Sequence, residues 1–567
     1  MNSYDISDIY FSVEGDTLTL GNKLFSTSFS HVVSATAKVS DCKGLSEEFL
    51  EISAVRVGGG ITRFCLWADL PVVWLPEYRE EQLLRLVGEH WIIRNVRLRA
   101  FTDDNDTLAE ENEVTFFRGM LKGERHGELF FFEDVETDRA VVAISEAPDY
   151  CDTTLTVNDY TARIDNDGNG LALGFCKRGE CEWLCREYLR HARRYSCLVT
   201  MSNTWGDCNS SSRVCESFIK EEIDAAEDIG VDIVQIDDGW QMGDTAWKCK
   251  RNERNERMFD GDYWVCNRER FPDELSPVVA YAKDRGIRTG MWFAPYSKDN
   301  FSHLDRDVAV LRKAYDEWGI RFFKLDMYRV GDAASRDRML RLLNEIHSFG
   351  NDVTVQMDVT RYERLNYLCG REFGTVFVEN RYTKTANSFP HRILRNLWTI
   401  SRYIPSSRFQ FELLNPDLNT DRYAENDIFA PKHFDMSYLF ATVMLSNPLF
   451  WMEMQFLNSE RREELRGIMS VWKEHRETLA IADVLPIGEK PSGRSITGFY
   501  VSVKGEPAYL LLFRENTDRT SARIPIGLAE AQTEILSSNR ECRVSVKDGF
   551  IDAEFEDIRT YAFVKLK

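Results

Sequence analysis

From its start to about residue 190 the chain runs in short segments of alternating apolar and polar positions broken by polar turns. Examples are Asp16-Thr17-Leu18-Thr19-Leu20, the stretch from Asn95 to Phe101, Glu128-Leu129-Phe130-Phe131-Phe132 and Ala140-Val141-Val142-Ala143-Ile144. A period of two sends successive side chains to opposite faces, so these segments read as antiparallel strands, with a turn over Asp165 to Gly168. A large β-sandwich over residues 1–190 is expected. It is closed by a helix over Cys181 to Tyr195.

The pattern then changes to apolar strands alternating with amphipathic helices, which implies parallel strands joined by crossover helices. Eight strands are predicted: Cys197 to Trp205, Val231 to Asp237, Ile287 to Pro295, Ile320 to Asp326, Asp352 to Asp358, Gly374 to Asn380, Arg408 to Leu413 and Asn447 to Met454. Helices are predicted over Ser212 to Glu227, Glu274 to Arg285, Val308 to Trp318, Ser335 to Phe349, His391 to Tyr403 and Glu460 to Thr478. Gly230, Gly286 and Gly319 stand where left-handed caps belong. Eight strand-helix units are the arithmetic of a (β/α)₈ TIM barrel over residues 191–482. A doubly wound open sheet is the rival, but no Gly-rich dinucleotide loop follows the first strand. Beyond residue 482 the alternation returns, as in Gly498 to Val503, Ala508 to Phe513 and Thr560 to Val564, and predicts a small C-terminal antiparallel β-domain over 483–567.

Composition narrows the function. A formal charge of −21 opposes nucleic acid and anionic membrane, leaving a neutral small molecule as the expected partner. Lys and Arg cluster from Arg251 to Arg257, but acidic residues interleave there and a solvated loop is expected. The opening residues Met1 to Asp5 lack a basic and apolar leader, and no apolar run approaches membrane-spanning length. A cytoplasmic location is the expectation, or a periplasmic one if an export segment has been removed. Thirteen cysteines without a paired spacing favour reduced thiols over a disulfide framework, with Cys176, Cys181 and Cys185 read as structural. Nine dispersed histidines give no metal-ligand spacing, so neither metal nor cofactor is expected.

In a barrel of this kind the chemistry lies at the carboxyl ends of the strands. Here the first strand ends Asn203-Thr204-Trp205, the second Asp237-Asp238-Gly239-Trp240, the third Trp292-Phe293-Ala294-Pro295-Tyr296, the fourth Lys324-Leu325-Asp326, the fifth Gln356-Met357-Asp358 and the sixth Glu379-Asn380-Arg381. Carboxylates and indole rings converging on one mouth are what glycoside cleavage requires: one carboxyl attacks the anomeric carbon and another protonates the leaving oxygen. Any single strand-end Asp could equally be a helix cap, and either Trp could be core. Glu412 and Glu453, near the ends of the last two strands, could also reach the mouth, but tying loops or capping helices is the favoured reading.

The runs Ile236-Asp237-Asp238-Gly239-Trp240, Gly261-Asp262-Tyr263-Trp264 with Arg270-Phe271-Pro272, Gly290 to Pro295 and Phe323-Lys324-Leu325-Asp326 resemble glycoside hydrolase family 36, the α-galactosidase and raffinose-synthase family of clan D. The resemblance implies a retaining exo-acting α-glycoside hydrolase, an α-galactosidase by default. Asp326 would be the nucleophile and Lys324 would bond substrate hydroxyls. Asp237 and Asp238 would grip the sugar, Trp240 and Trp292 would wall the subsite, and Trp205 and Arg381 join the substrate-binding set. Glu379 matches the family's acid/base position on the sixth strand, and Asp358 competes for that role. The sequence departs from the family at Asp358-Val359-Thr360-Arg361, at Ala294-Pro295-Tyr296 and at Gly206. These departures keep open an α-N-acetylgalactosaminidase, a pentopyranosidase, a transglycosidase, or a carbohydrate-binding protein that has lost catalysis. Oligomeric state is left open, with self-association through the N-terminal sandwich as relatives often show.

Overall fold

A computed structural model describes residues 10–567 except 15–16, 22–24, 30–31, 42–47, 57–60, 68–71, 76–82, 87–89, 99–107, 118–121, 159–160, 192–196, 209, 245–258, 260–261 and 361–362. The opening residues Met1 to Asp5, the Arg251 to Arg257 cluster and the end of the helix predicted to Tyr195 lie outside the described residues.

Among the described residues two antiparallel sheets form the N-terminal part, one of seven strands and one of nine. The alternation is visible where it should be: Thr154–Asn158 and Thr161–Asp165 bury every second residue. Leu129–Asp134 is buried at every position. It is an interior strand of the larger sheet, next to Arg139–Ser145, and its neighbour carries the helix Cys181–His191 on one face. Burial on both faces is why its sequence reads as a continuous apolar run instead of alternating.

Among the described residues eight parallel strands then close into a barrel: Met201–Asn203, Ile233–Ile236, Arg288–Phe293, Phe322–Leu325, Thr354–Asp358, Thr375–Phe377, Phe409–Leu413 and Asn447–Phe450. Each lies inside a predicted segment. Register fixes the mouth; for example Trp292 sits beside Lys324, and Asp358 beside Phe377. The predicted caps hold at Gly230 (φ 93°), whose N–H donates to Ala226 O at 2.8 Å, and at Gly319 (φ 83°). Both adopt the left-handed conformation that glycine tolerates without a Cβ clash.

The unit count departs from expectation at the fifth crossover. Residues 359–374 contain no helix among the described residues. Instead they bury Leu365, Tyr367, Leu368 and Phe373 and lie against the sandwich, where Asn366 Nδ2 donates to Ala147 O and the Asp149 N–H to Arg364 O at 3.2 Å. The seventh unit has only the short helix Met436–Ala441. The long helix Ser459–Ile481 ends the barrel, and two antiparallel sheets, of five and four strands, follow. Arg186 and Arg190 tie the linking helix to Asp483 Oδ1 at 2.6 and 2.7 Å.

Candidate active site

The carboxyl ends of the barrel strands enclose a cavity of about 120 Å³, room for a single sugar ring, lined by Asp237, Asp238, Lys324, Asp326, Asp358 and Arg364 together with aromatic walls. Those walls are Trp205, Trp292, Tyr382 and Trp451. Polar side chains at strand ends and indoles between them give a pocket that can hydrogen-bond hydroxyls and stack on the C–H face of a ring.

Asp326 follows the fourth strand, and its own N–H continues the ladder to Phe293 O at 3.1 Å. Its Oδ2 accepts from Trp292 Nε1 at 3.1 Å, and its Oδ1 from the Met327 N–H and from Arg364 Nη2 at 3.2 Å. Met327 has φ +56°, a conformation non-glycine residues rarely adopt, and this tight turn is what brings its N–H back onto the carboxylate. Burial alone would raise the Asp326 carboxyl, but Arg364, Lys324 and these donors outweigh it and hold it below the usual carboxylate range. It is therefore an anion near neutral pH.

Lys324 Nζ donates to Asp237 Oδ2 at 3.0 Å and lies 4.8 Å from the centre of the Trp451 ring. Burial disfavours its charge, but Asp237, Asp326 and Asp358 hold it above the ordinary lysine value. Asp237 also accepts from Asn203 Nδ2 at 2.7 Å, and Asp238 from Gln241 Nε2 at 2.6 Å. Both sugar-gripping candidates are thus fixed before any ligand arrives.

Asp358 ends the fifth strand and faces the same cavity. Thr360 donates to its Oδ1 through both N–H (3.0 Å) and Oγ1 (2.8 Å), and Arg364 Nη1 stands 4.0 Å from that oxygen. Burial, and then the charge of Asp326, push its carboxyl up to about 6 against the opposing pull of Arg364 and Lys324. Two carboxyls in one pocket, one displaced downwards and one upwards, are the arrangement that divides nucleophile from proton donor.

Glu379 does not join them. It is fully buried and accepts from Asn396 Nδ2, on the helix Pro390–Ile400, at 2.6 Å, while Arg381 Nε lies 3.5 Å from it. In the segment just past the sixth strand, Asn380 and Tyr382 line the pocket, whereas Glu379 and Arg381 do not and Glu379 meets the surrounding helix through Asn396. Glu379 as acid/base and Arg381 as a sugar contact are corrected accordingly. Trp240 is corrected too: fully buried, it stacks on Trp264, meets Trp318 edge-on and supports the site by donating from Nε1 to Trp292 O at 2.9 Å. Glu412 and Glu453 do tie loops, to the Arg381 N–H and to Arg213.

Arg364, Thr360, Asn380, Tyr382 and Trp451 are lining residues that sequence reasoning did not assign. Trp451 follows the eighth strand directly and could have been found by the strand-end rule, whereas Arg364 and Tyr382 lie in loops without a periodic signal. Trp205 Nε1 donates to Tyr382 Oη at 3.2 Å, and that hydroxyl in turn bonds Asn380, linking the first and sixth strands across the mouth. Cys176 Sγ and Cys181 Sγ are buried 3.9 Å apart, and among the described residues no cluster of three His, Cys, Asp or Glu is arranged to hold a metal ion.

Comparison with known proteins finds the same fold. The Melibiase family model matches residues 186–321, which carry the first three barrel strands. α-Galactosidase 1 of Pediococcus pentosaceus is 29% identical over 80 residues, 14% of this chain and only 10% of that relative's length. Among solved structures, the α-galactosidase AgaA of Geobacillus stearothermophilus superposes with a TM-score of 0.64 at 13% identity, covering 94% of this chain and 87% of that one. The galactosidase domain of the α-galactosidase-sucrose kinase AgaSK gives 0.66 at 11% identity, covering 94% and 86%. The chain thus carries a segment matching the Melibiase model within a three-part fold similar to that of solved α-galactosidases of glycoside hydrolase family 36.

Proposed function

We propose that the protein hydrolyses a terminal α-galactoside, with retention, through a covalent glycosyl-enzyme on Asp326. The observation that carries this reading is the pairing of Asp326, held anionic, with Asp358, raised to about 6, in one sugar-sized cavity. Asp326 attacks the anomeric carbon while Asp358 gives its proton to the leaving oxygen; Asp358, then anionic, draws a proton from the water that releases the sugar. Lys324, Asp237 and Asp238 bind hydroxyls, and Trp205, Trp292 and Trp451 wall the ring. AgaA has been solved in complex with raffinose and with stachyose, which supports a galactose-terminated oligosaccharide as the substrate class.

A panel of aryl α-glycosides of galactose, N-acetylgalactosamine, arabinose and glucose tests the reading, with galactose expected to turn over fastest. Asp326→Ala should be inert, and azide should restore it to a β-glycosyl azide product. Undiminished turnover by Asp326→Ala would end the proposal.

A further inference from the structure

The fifth crossover, which carries Arg364, is held from outside the barrel. Its anchor is Glu146, at the end of a sandwich strand. Glu146 Oε1 accepts from Tyr188 Oη at 2.6 Å and from Arg371 Nε, and its Oε2 from Trp74 Nε1 at 3.1 Å. The Arg371 guanidinium is itself set over the rings of Tyr188 and Trp74, at 4.4 and 5.1 Å from their centres. Room for this carboxylate is made by Gly170, where an added Cβ would stand 2.4 Å from Glu146 Oε2. Two further bonds run along the same seam, Asn366 to Ala147 O and the Asp149 N–H to Arg364 O. Arg364 is thus gripped by its backbone from the sandwich while its guanidinium reaches Asp326 Oδ1 and Asp358 O in the pocket.

We propose that Glu146 is a positioning residue of the active site: through Arg371 and the crossover it holds Arg364 between Asp326 and Asp358. This rests on the catalytic roles proposed above. The charged and titratable groups facing Arg364 are Asp149 on the sandwich side, whose carboxyl burial pushes up against the pull of Arg364, and Asp326 and Asp358 in the pocket, with the Tyr328 ring 4.7 Å from its guanidinium carbon and Lys324 sharing the same two pocket carboxylates. Arg364 favours the ionised form of both carboxyls. A loosened Arg364 therefore lets both rise, and the whole pH profile slides to higher pH instead of narrowing.

The experiment compares wild type with Glu146→Ala, Glu146→Gln and the milder Asn366→Ala, each checked for folding by thermal unfolding. Glu146→Ala is expected to lower kcat roughly tenfold with KM changed less than about twofold, because the geometry of reaction is lost and ring binding is not. Both limbs of its kcat/KM profile should move up by about half a pH unit. Glu146→Gln, which keeps one of the two accepting oxygens but loses the charge facing Arg371, should lie between, and Asn366→Ala should shift in the same direction. If Glu146→Ala does not fold, Asn366→Ala carries the test. Profiles that superimpose on the wild type's after scaling, as a purely structural role would give, overturn the proposal. Should wild type turn over no glycoside, the functional reading falls by itself. Amide hydrogen exchange over residues 363–373 then decides the anchoring: faster exchange confined to that segment in the variants supports it, and unchanged exchange overturns it.

Discussion

Lys324 Nζ and Asp237 Oδ2 lie 3.0 Å apart with each side chain only 3% exposed, so the ion pair lining the pocket is largely withdrawn from bulk water. Removing one partner leaves a buried charge uncompensated, which costs about 3–5 kcal/mol. Asp237→Asn is expected to lose stability on that scale in urea unfolding, together with most turnover. The double variant Asp237→Asn with Lys324→Met should regain much of the stability and none of the activity, since the charges destabilise one another's absence but the sugar still needs them. A double variant no more stable than Asp237→Asn would show that the pair is not coupled.

The pH dependence follows from the opposed displacements. Asp326 must be ionised, and its carboxyl lies below the usual range, so kcat/KM should stay high well into acid and fall only as Asp326 protonates. Asp358 must be protonated, so activity should fall as pH rises through about 6. Asp358→Asn should abolish the alkaline limb and leave the acid limb in place. A wild-type optimum above pH 8 would contradict this assignment.

Assigning the acid to Asp358 makes a stereochemical prediction. Asp358→Ala loses proton donation, worth roughly 10²–10⁴-fold, for leaving groups that need it, and far less for an activated aryl glycoside. Azide needs no general base, so it should intercept the glycosyl-enzyme of this variant and give the α-glycosyl azide. Product analysis by NMR distinguishes this from the β-azide expected of the Asp326 variant.

Glu379 provides the complementary test. It is buried against Asn396 and Arg381, outside the cavity, so Glu379→Gln should lower thermal stability while leaving the pH profile of kcat/KM superimposable on wild type. Removing a charged acceptor there costs about 1–3 kcal/mol. Loss of one pH limb in this variant would return the acid role to Glu379.

Much of this was legible in the residues. Every barrel strand falls within a segment predicted from its largely apolar residues, as expected of strands covered on both faces, and the strand ends exposed Asp237, Asp238, Lys324, Asp326, Trp292 and Asp358 as a group. What could not be read was phase. The sixth strand has three residues, Thr375–Phe377, too few for period two to declare which of Glu379 and Asn380 turns inwards. The family motif pointed to Glu379, whereas it is Asn380 that lines the cavity. Trp240 failed for a related reason, since a strand-end indole can cap the pocket or brace it from behind with the same sequence. Arg364 lies six residues beyond its strand in a segment with no periodicity, and its importance comes from a sandwich more than 200 residues away in sequence.

That the fifth crossover holds no helix among the described residues bears on how the chain can be divided. Leu365, Tyr367, Leu368 and Phe373 belong to one continuous apolar cluster that runs from sandwich residues such as Val96, Leu129 and Phe131 into the barrel wall. A recombinant fragment beginning near residue 191 would uncover that greasy seam and orphan the polar groups beside it. Swapping the N-terminal part for a homologue's would do the same unless the seam were exchanged with it, so fragment or chimera designs should keep both sides of it together.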